Sequence, residues 1–224
     1  MTELLRFAEA AALQDLGTFI ARGRRVNEQG VRLQAVGTVV AAWLPVMTPS
    51  TLTSRIPAVL GLRTMALAEP SDADITVELG AISERLARLN PASTDLPLPP
   101  GRLNAPWAAV TPPRSGWEPR GRIADATLAQ AAEAGITEVA EAIPETAGAH
   151  VVEQVRERVW GTAVQPGPGD EVLAGMPIPA GAAFGALSLG FLQPERQAAT
   201  EVHAVGRWMR LTSAGGFILC RSAG

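Results

Sequence analysis

Apolar and polar positions in the first half of the chain follow two different periods, which predict a mixture of helices and strands. Residues 4–20 carry apolar side chains at helical spacing and predict one broken helix or two short ones. Residues 31–45 are apolar on both faces and rich in β-branched side chains, which is typical of a central strand. Residues 59–68 and 75–79 predict two further strands, and the helical period returns over residues 81–89.

The second half of the chain predicts three more helices and a closing β-hairpin. An apolar stripe over residues 126–142 predicts a helix, with Asp125 at its N-cap, and residues 146–161 predict its antiparallel partner. Residues 180–192 are almost entirely apolar and small, so we expect a buried helix there. Residues 207–221 alternate around a Gly-Gly turn and predict the hairpin. We therefore predict an α+β fold, with a mostly antiparallel sheet packed with an αα-hairpin and one buried apolar helix.

A proline-rich stretch near the middle bears on domain organisation. Residues 90–101 read NPASTDLPLPPG, a composition that favours an extended connection. A strand is predicted immediately after it, over residues 103–110. We expect residues 1–224 to form one compact domain, with a division into residues 1–90 and 101–224 as the alternative.

Composition excludes several functional classes. The chain of 224 residues contains no lysine, so mechanisms that require a lysine amine are excluded: P-loop NTPases, kinases and pyridoxal phosphate enzymes. Its one cysteine, Cys220, permits neither an internal disulfide nor a thiolate zinc cluster, which fits the reducing cytoplasm. We also expect no signal peptide, no membrane-spanning segment and no resident cofactor.

The charge balance bears on the partners of the protein, and the candidate catalytic and metal-binding residues lack the context that such sites need. A formal net charge of -3 is small, so we expect neither nucleic acid nor a membrane surface as a partner. Ser188, in the sequence ALSLG, resembles a nucleophile elbow, with His203 following it, but an elbow requires a strand before the serine, and a helix is predicted there. His150, Glu153 and Glu157 share a helix side, but they are better explained as a solvated face than as metal ligands.

Two tryptophans, four prolines and three arginines occur within residues 106–122. Guanidinium groups bind carboxylates and phosphates through two parallel hydrogen bonds, and an indole ring offers a flat contact surface. We therefore predict a ligand-binding or partner-binding site formed by Arg114, Trp117, Arg120 and Arg122. The alternative is a structural segment in which the tryptophans fill the core and the arginines pair with nearby glutamates.

The sequence as a whole predicts a cytoplasmic, non-enzymatic protein that binds a protein partner or a small anionic ligand and associates with itself. No residue is assigned a catalytic role or a metal. The alternative function is that of a metal-independent hydrolase or transferase that uses Ser188 or His203 together with carboxylates. The chemistry of these residues does not by itself distinguish the two.

Overall fold

A computed structural model describes residues 3–49, 54–144, 146–172 and 177–221. The chain divides into two compact units. Unit 1 consists of Met1–Pro45 and Leu62–Thr111, and unit 2 consists of Val46–Gly61 and Pro112–Gly224. Unit 2 therefore takes one segment, Val46–Gly61, from the N-terminal half of the chain.

The described part of unit 1 contains two α-helices and parts of five strands. In chain order these elements are β1 (Leu4–Arg6), α1 (Ala10–Val26), β2 (Val31–Met47), β3 (Ala58–Ser71), β4 (Asp74–Val77), α2 (Leu79–Arg88) and β5 (Asp95–Pro97). β2 lies between β4 and β3, and β1 pairs with β5 in a separate two-stranded sheet. β2 and β4 are antiparallel, and so are β1 and β5. The last residues of β2 and the first of β3 belong to unit 2.

Two local predictions in unit 1 are wrong. The region predicted to start a helix at residue 4 forms β1 instead, because Leu5 is fully buried opposite Leu96 and the backbone there pairs with β5. The region predicted as a strand over residues 103–110 contains a short 3-10 helix, Pro106–Ala109. Proline has no amide hydrogen for a strand ladder and suits a first helical turn. Trp107 is buried, and its ring nitrogen donates to the Gln29 carbonyl over 2.9 Å.

The proline-rich residues 90–101 lie inside unit 1. β5 falls within them, and Leu96 and Leu98 are buried. These two leucines carry enough apolar surface to attach the segment to unit 1. The chain passes between the units at three places: after Pro45, after Gly61 and after Thr111.

Unit 2 contains three helices and most of a large sheet. Its further elements are β6 (Glu118–Ala124), α3 (Asp125–Ala142), α4 (Ala149–Gly161), β7 (Glu171–Val172), α5 (Ala180–Ser188), β8 (Ala199–Val205), β9 (Trp208–Ser213) and β10 (Gly216–Arg221). The strand order is β3-β10-β9-β8-β6-β7. The four pairings from β10 to β7 are antiparallel, and short hairpins join β8 to β9 and β9 to β10.

The helices of unit 2 pack as the apolar pattern predicts. α3 contacts both α4 and α5, and six of the nine residues of α5 are buried. Gly181 and Gly185 allow close packing, since a Cβ atom at Gly185 would lie 3.3 Å from both Val46 and Val59. The predicted α+β fold, with its antiparallel sheet, αα-hairpin and buried apolar helix, is confirmed.

Asp125 begins α3, although it does not act as the predicted N-cap. The N-cap residue is Ala124, and Asp125 is only 1% exposed. Its carboxylate accepts hydrogen bonds from the Thr200 hydroxyl and the Gln193 amide, each over 2.7 Å. Asp125 therefore ties the start of α3 to β8 and to the turn that precedes β8.

No helix among the described residues is long and apolar enough to span a bilayer.

Candidate binding surfaces

The outer face of the unit 2 sheet carries most of the predicted site. His203 lies opposite Arg210, and Thr212 lies opposite Phe217. Residues directly opposed in an antiparallel pair point to the same face. Alternate residues of β8 and β9, such as Val202 and Leu211, form the buried inner face. The polar side chains of these strands thus gather on the other side of the sheet.

One group on this face is here named the Arg210 cluster. Its members are Trp117, Arg120, His203, Arg210, Thr212 and Phe217. The guanidinium carbon of Arg210 lies 4.9 Å from the centre of the Trp117 ring and 5.9 Å from that of Phe217. These distances are typical of cation-π contacts. The two rings hold the Arg210 charge in place and shield it from water.

Arg210 has no hydrogen bond or ion pair with any described residue. The Nε atom of its guanidinium group is buried without an acceptor. Burial lowers the pKa of Arg210, and the negative charge of Glu201 only partly opposes this. A half-buried charge without a counter-ion is uncommon in folded proteins, because desolvation costs free energy that pairing normally returns. Arg210 is therefore available to an anion.

Three neighbouring polar atoms are also buried without a partner among the described residues: Nε of Arg120, Nδ1 of His203 and Oγ1 of Thr212. Arg120 lies at a β-bulge between Pro119, which opposes His203, and Gly121. Burial, followed by the nearby charge of Arg210, lowers the pKa of His203, although Glu201 acts in the opposite direction. The cluster thus combines the charge of Arg210, the charge of Arg120 paired with Glu118, and buried polar atoms without a partner among the described residues.

The structure separates the four residues that the sequence assigned to this site. Trp117 is half-buried, and its ring nitrogen donates to the Pro113 carbonyl over 3.0 Å. Arg120 bonds to Glu118 over 2.8 Å. Arg114 and Arg122 are exposed, and Arg122 opposes Glu201 across the sheet. Trp117 and Arg120 thus belong to the Arg210 cluster, whereas no recorded contact joins Arg114 or Arg122 to the Trp117 ring.

Sequence reasoning missed Arg210, Thr212 and Phe217 as members of this surface and considered His203 only as a catalytic residue. The signal that could have found them is the hairpin register. With a turn after Val205, strands of alternating residues place His203 opposite Arg210. Trp117 belongs to a different part of the chain, and its position against Arg210 had no local signal.

The residues of the enzymatic alternative do not form a catalytic arrangement. Ser188 is the last residue of α5, so a helix precedes it, where a nucleophile elbow has a strand. Among the described residues, no hydrogen bond joins Ser188 to His203. The nearest recorded carboxylate oxygen to the His203 ring is that of Glu201, at 4.0 Å.

The other candidate residues have structural contacts. The Glu157 carboxylate accepts from the Ser54 hydroxyl and the Arg55 amide, each over 2.8 Å, and the pKa of Glu157 is lowered by these bonds. No group of three or more metal-ligating side chains occurs within the described part of the chain. Cys220 is buried, and burial raises the pKa of its thiol to about 12. Cys220 is thus an unreactive core residue, because a thiol with this pKa does not ionise near neutral pH.

A second group of charges, here named the basic helix pair, lies on α1 and α2 in unit 1. It consists of Arg24 and Arg25 at the end of α1 and Arg85 and Arg88 at the end of α2, and the two pairs line different grooves. Arg24 and Arg25 line a groove of about 440 Å³ between the helices, with Glu28 at its edge. Among the described residues neither arginine has an ion pair. Arg88 pairs with Glu84 over 3.4 Å at an exposed position, and such pairs exchange easily with other partners.

The chain belongs to the family of DUF8185, described as a domain of unknown function, whose model matches residues 112–224. A second model, DUF8010, also described as a domain of unknown function, matches residues 1–109. No curated protein matches the chain.

Several solved structures share the fold. A DNA polymerase III beta subunit from Eubacterium rectale superposes with a TM-score of 0.60 at 6% identity, covering 98% of this chain and 65% of that one. The subunit from Pseudomonas aeruginosa gives 0.55 at 14% identity, covering 99% and 64%. A sliding clamp from Bartonella birtlesii, bound to griselimycin, gives 0.55 at 12% identity, covering 98% and 65%. The chain therefore has a sliding-clamp-like fold and spans just under two thirds of the length of these proteins.

These findings correct the prediction about nucleic acid. The expectation that nucleic acid is not a partner is wrong, because the fold is that of DNA polymerase sliding clamps. The error arose because a net charge of -3 averages over the whole chain. In that sum, the acidic residues of α3 in unit 2 cancel the positive charges of the basic helix pair in unit 1.

Proposed function

We propose that this protein is a non-enzymatic, clamp-like interaction protein of the cytoplasm that associates with duplex DNA through the basic helix pair. The proposal is supported by the fold of DNA polymerase sliding clamps together with the arginines that end α1 and α2. Phosphate contacts by arginine provide most of the sequence-independent affinity for DNA. The observation that carries the proposal is the unpaired state of Arg24 and Arg25 within the described residues.

The distribution of charge supports a DNA contact on unit 1. The longest helix of unit 2, α3, exposes Glu133, Glu138 and Glu141 and contains no basic residue. Carboxylates near a phosphate backbone repel it, at a cost that grows as salt is removed. α3 of unit 2 should therefore repel DNA, while the arginines at the ends of α1 and α2 should attract it.

Fluorescence anisotropy with a labelled duplex, measured over a series of salt concentrations, tests this proposal. The logarithm of the binding constant should fall linearly with the logarithm of salt concentration, and the double change Arg24→Gln and Arg25→Gln should reduce that slope by about 1.8. The matched control, Arg156→Gln with Arg158→Gln on α4, removes the same charge from unit 2 and should leave the slope unchanged. Binding without salt dependence, or equal losses in both variants, would refute it.

The site predicted from sequence remains part of the proposal. Arg114, Trp117, Arg120 and Arg122 are proposed to contribute to a partner-binding surface on unit 2, with Trp117 and Arg120 at its centre. Self-association as a homo-dimer is also proposed. Size-exclusion chromatography with light scattering tests it, since a dimer has twice the 23.4 kDa mass of the chain. A mass of one chain at every concentration tested would exclude the dimer.

A further inference from the structure

We propose that the Arg210 cluster is a docking site for a carboxylate side chain on an acidic, partly apolar segment of a protein partner. This inference names the chemistry of the partner within the proposed interaction role. It is independent of the proposed DNA contact, which involves other residues in unit 1. The argument starts from the unmet charge of Arg210.

Arg210 is held ready for an anion. Contact with Trp117 and Phe217 fixes its guanidinium plane, so less side-chain entropy is lost when a ligand binds. Its desolvation has already occurred on folding, as its lowered pKa indicates. An arriving anion would therefore gain the interaction without the full cost of removing water from this arginine.

The geometry favours a carboxylate on a flexible stem. The planar guanidinium fork matches the two oxygens of a carboxylate. Single polar atoms of Arg120, His203 and Thr212 are buried without a partner among the described residues, so an anion must be small to reach them. The phosphates of a duplex are fixed on a broad, stiff rod, and the ring faces that could stack on exposed bases are already in contact with Arg210.

The border of the cluster suits an apolar neighbour of that carboxylate. Trp117, Phe217 and Val205 are half-buried, so each retains part of its apolar surface for a partner. Tryptophan and arginine are the residues most enriched in the centres of protein interfaces. An acidic residue beside a leucine or similar side chain therefore matches both the charge and the border of the site.

The probe for this site is a capped peptide, Glu-Glu-Leu-Glu-Glu, with Gln-Gln-Leu-Gln-Gln as its uncharged control. Binding is followed by calorimetry and by the NMR titration of His203, whose pKa should rise when an anion lies near Arg210. Arg210→Gln should weaken binding of the acidic peptide by about tenfold or more. Arg196→Gln, at the exposed turn before β8, removes an equal charge and should have no effect.

Two further variants keep the test decisive. Arg120→Gln removes a cluster donor and keeps Arg210, Trp117 and Phe217, so it should weaken peptide binding even if Arg210→Gln proves unstable. Arg210→Lys keeps the charge and loses the planar fork, and it should bind less tightly than the unaltered protein. Circular dichroism confirms that each variant is folded.

The outcomes that overturn the inference are specific. Equal binding of the glutamine peptide, or equal losses in Arg196→Gln and Arg210→Gln, would show that the cluster does not select a carboxylate. Displacement of the peptide by inorganic phosphate or by the duplex at similar concentrations would show an unselective anion site. An Arg210→Gln variant that still binds DNA normally separates failure here from failure of the proposed DNA contact.

Discussion

Residues 112–224 alone should not fold, even though a family model matches this range by itself. The reason is the composition of unit 2, which includes Val46–Gly61 from the N-terminal half. A fragment that begins at residue 112 lacks this segment. We expect the fragment, even if it collapses to a compact state, to lack fixed tertiary structure.

The expected loss follows from burial. The described part of the missing segment contains five large apolar side chains that are at most 3% exposed: Val46, Met47, Ile56, Val59 and Leu60. Burying each contributes about 1.5–3 kcal/mol, so their removal costs about 7–15 kcal/mol. This is as large as the whole free energy of unfolding of a typical domain, about 5–15 kcal/mol.

The loss also affects what remains of unit 2. Val46 and Val59 pack beside Gly185, and Met47 packs beside Gly181, so without them one side of α5 is open to water. β10 also loses β3, its neighbour in the strand order, and becomes an edge. Exposed edges and apolar helix faces promote aggregation.

Near-ultraviolet circular dichroism and urea titration of the fragment test this expectation. The matched control joins residues 46–61 through a flexible linker to residues 112–224, and it should unfold cooperatively. A fragment of residues 112–224 that unfolds cooperatively, with the urea midpoint of unit 2 in the full chain, would refute the reasoning. It would mean that the Val46–Gly61 segment is not needed for the core of unit 2.

Three further predictions concern single positions. Asp125→Ala should lower the free energy of unfolding by about 3 kcal/mol in urea titration, because two buried donors lose a charged acceptor, whereas exposed Glu133→Gln should change it by less than about 0.5 kcal/mol. Gly185→Ala should destabilise the protein by about 1 kcal/mol through overpacking. Gly17→Ala should stabilise it by a similar amount, because a Cβ atom at Gly17 would meet nothing within 4 Å. Changes of the same sign in the free energy of unfolding would contradict this pair of predictions. Folding lowers the pKa of His203 from 6.5, so the unfolded state binds the proton at a higher pH than the folded state does. The free energy of unfolding should therefore fall as pH drops below 6.5, and His203→Gln should flatten this dependence.

Much of the secondary structure could be predicted from local pattern. The helices at Asp125–Ala142 and Ala149–Gly161 repeat apolar residues over several turns, and the hairpin of β9 and β10 is marked by the adjacent Gly215 and Gly216, which end its turn and begin β10. Such signals involve residues close together in sequence, so they can be read from the sequence before the fold is known. Where the structure differs, at Leu4–Arg6 and Pro106–Ala109, a distant pairing partner or a proline determined the conformation.

The candidate sites were less predictable. The density of Trp and Arg indicated Trp117 and Arg120, which do belong to the Arg210 cluster. Arg210 itself is ordinary in sequence, and its significance arises because strand pairing and the Trp117 ring remove it from water without supplying an acceptor. An unmet hydrogen bond is a property of all surrounding groups together, so no local pattern records it.

The sequence by itself determined the α+β class, the positions of most helices and strands, and the absence of lysine-dependent chemistry. Only the tertiary structure decided that Val46–Gly61 completes unit 2, that Arg24 and Arg25 line a groove between α1 and α2, and that Arg210 has no hydrogen bond or ion pair with any described residue. The physical reason is range. Periodicity and turn chemistry act over a few residues, whereas burial, register and charge pairing depend on contacts between segments far apart in the chain.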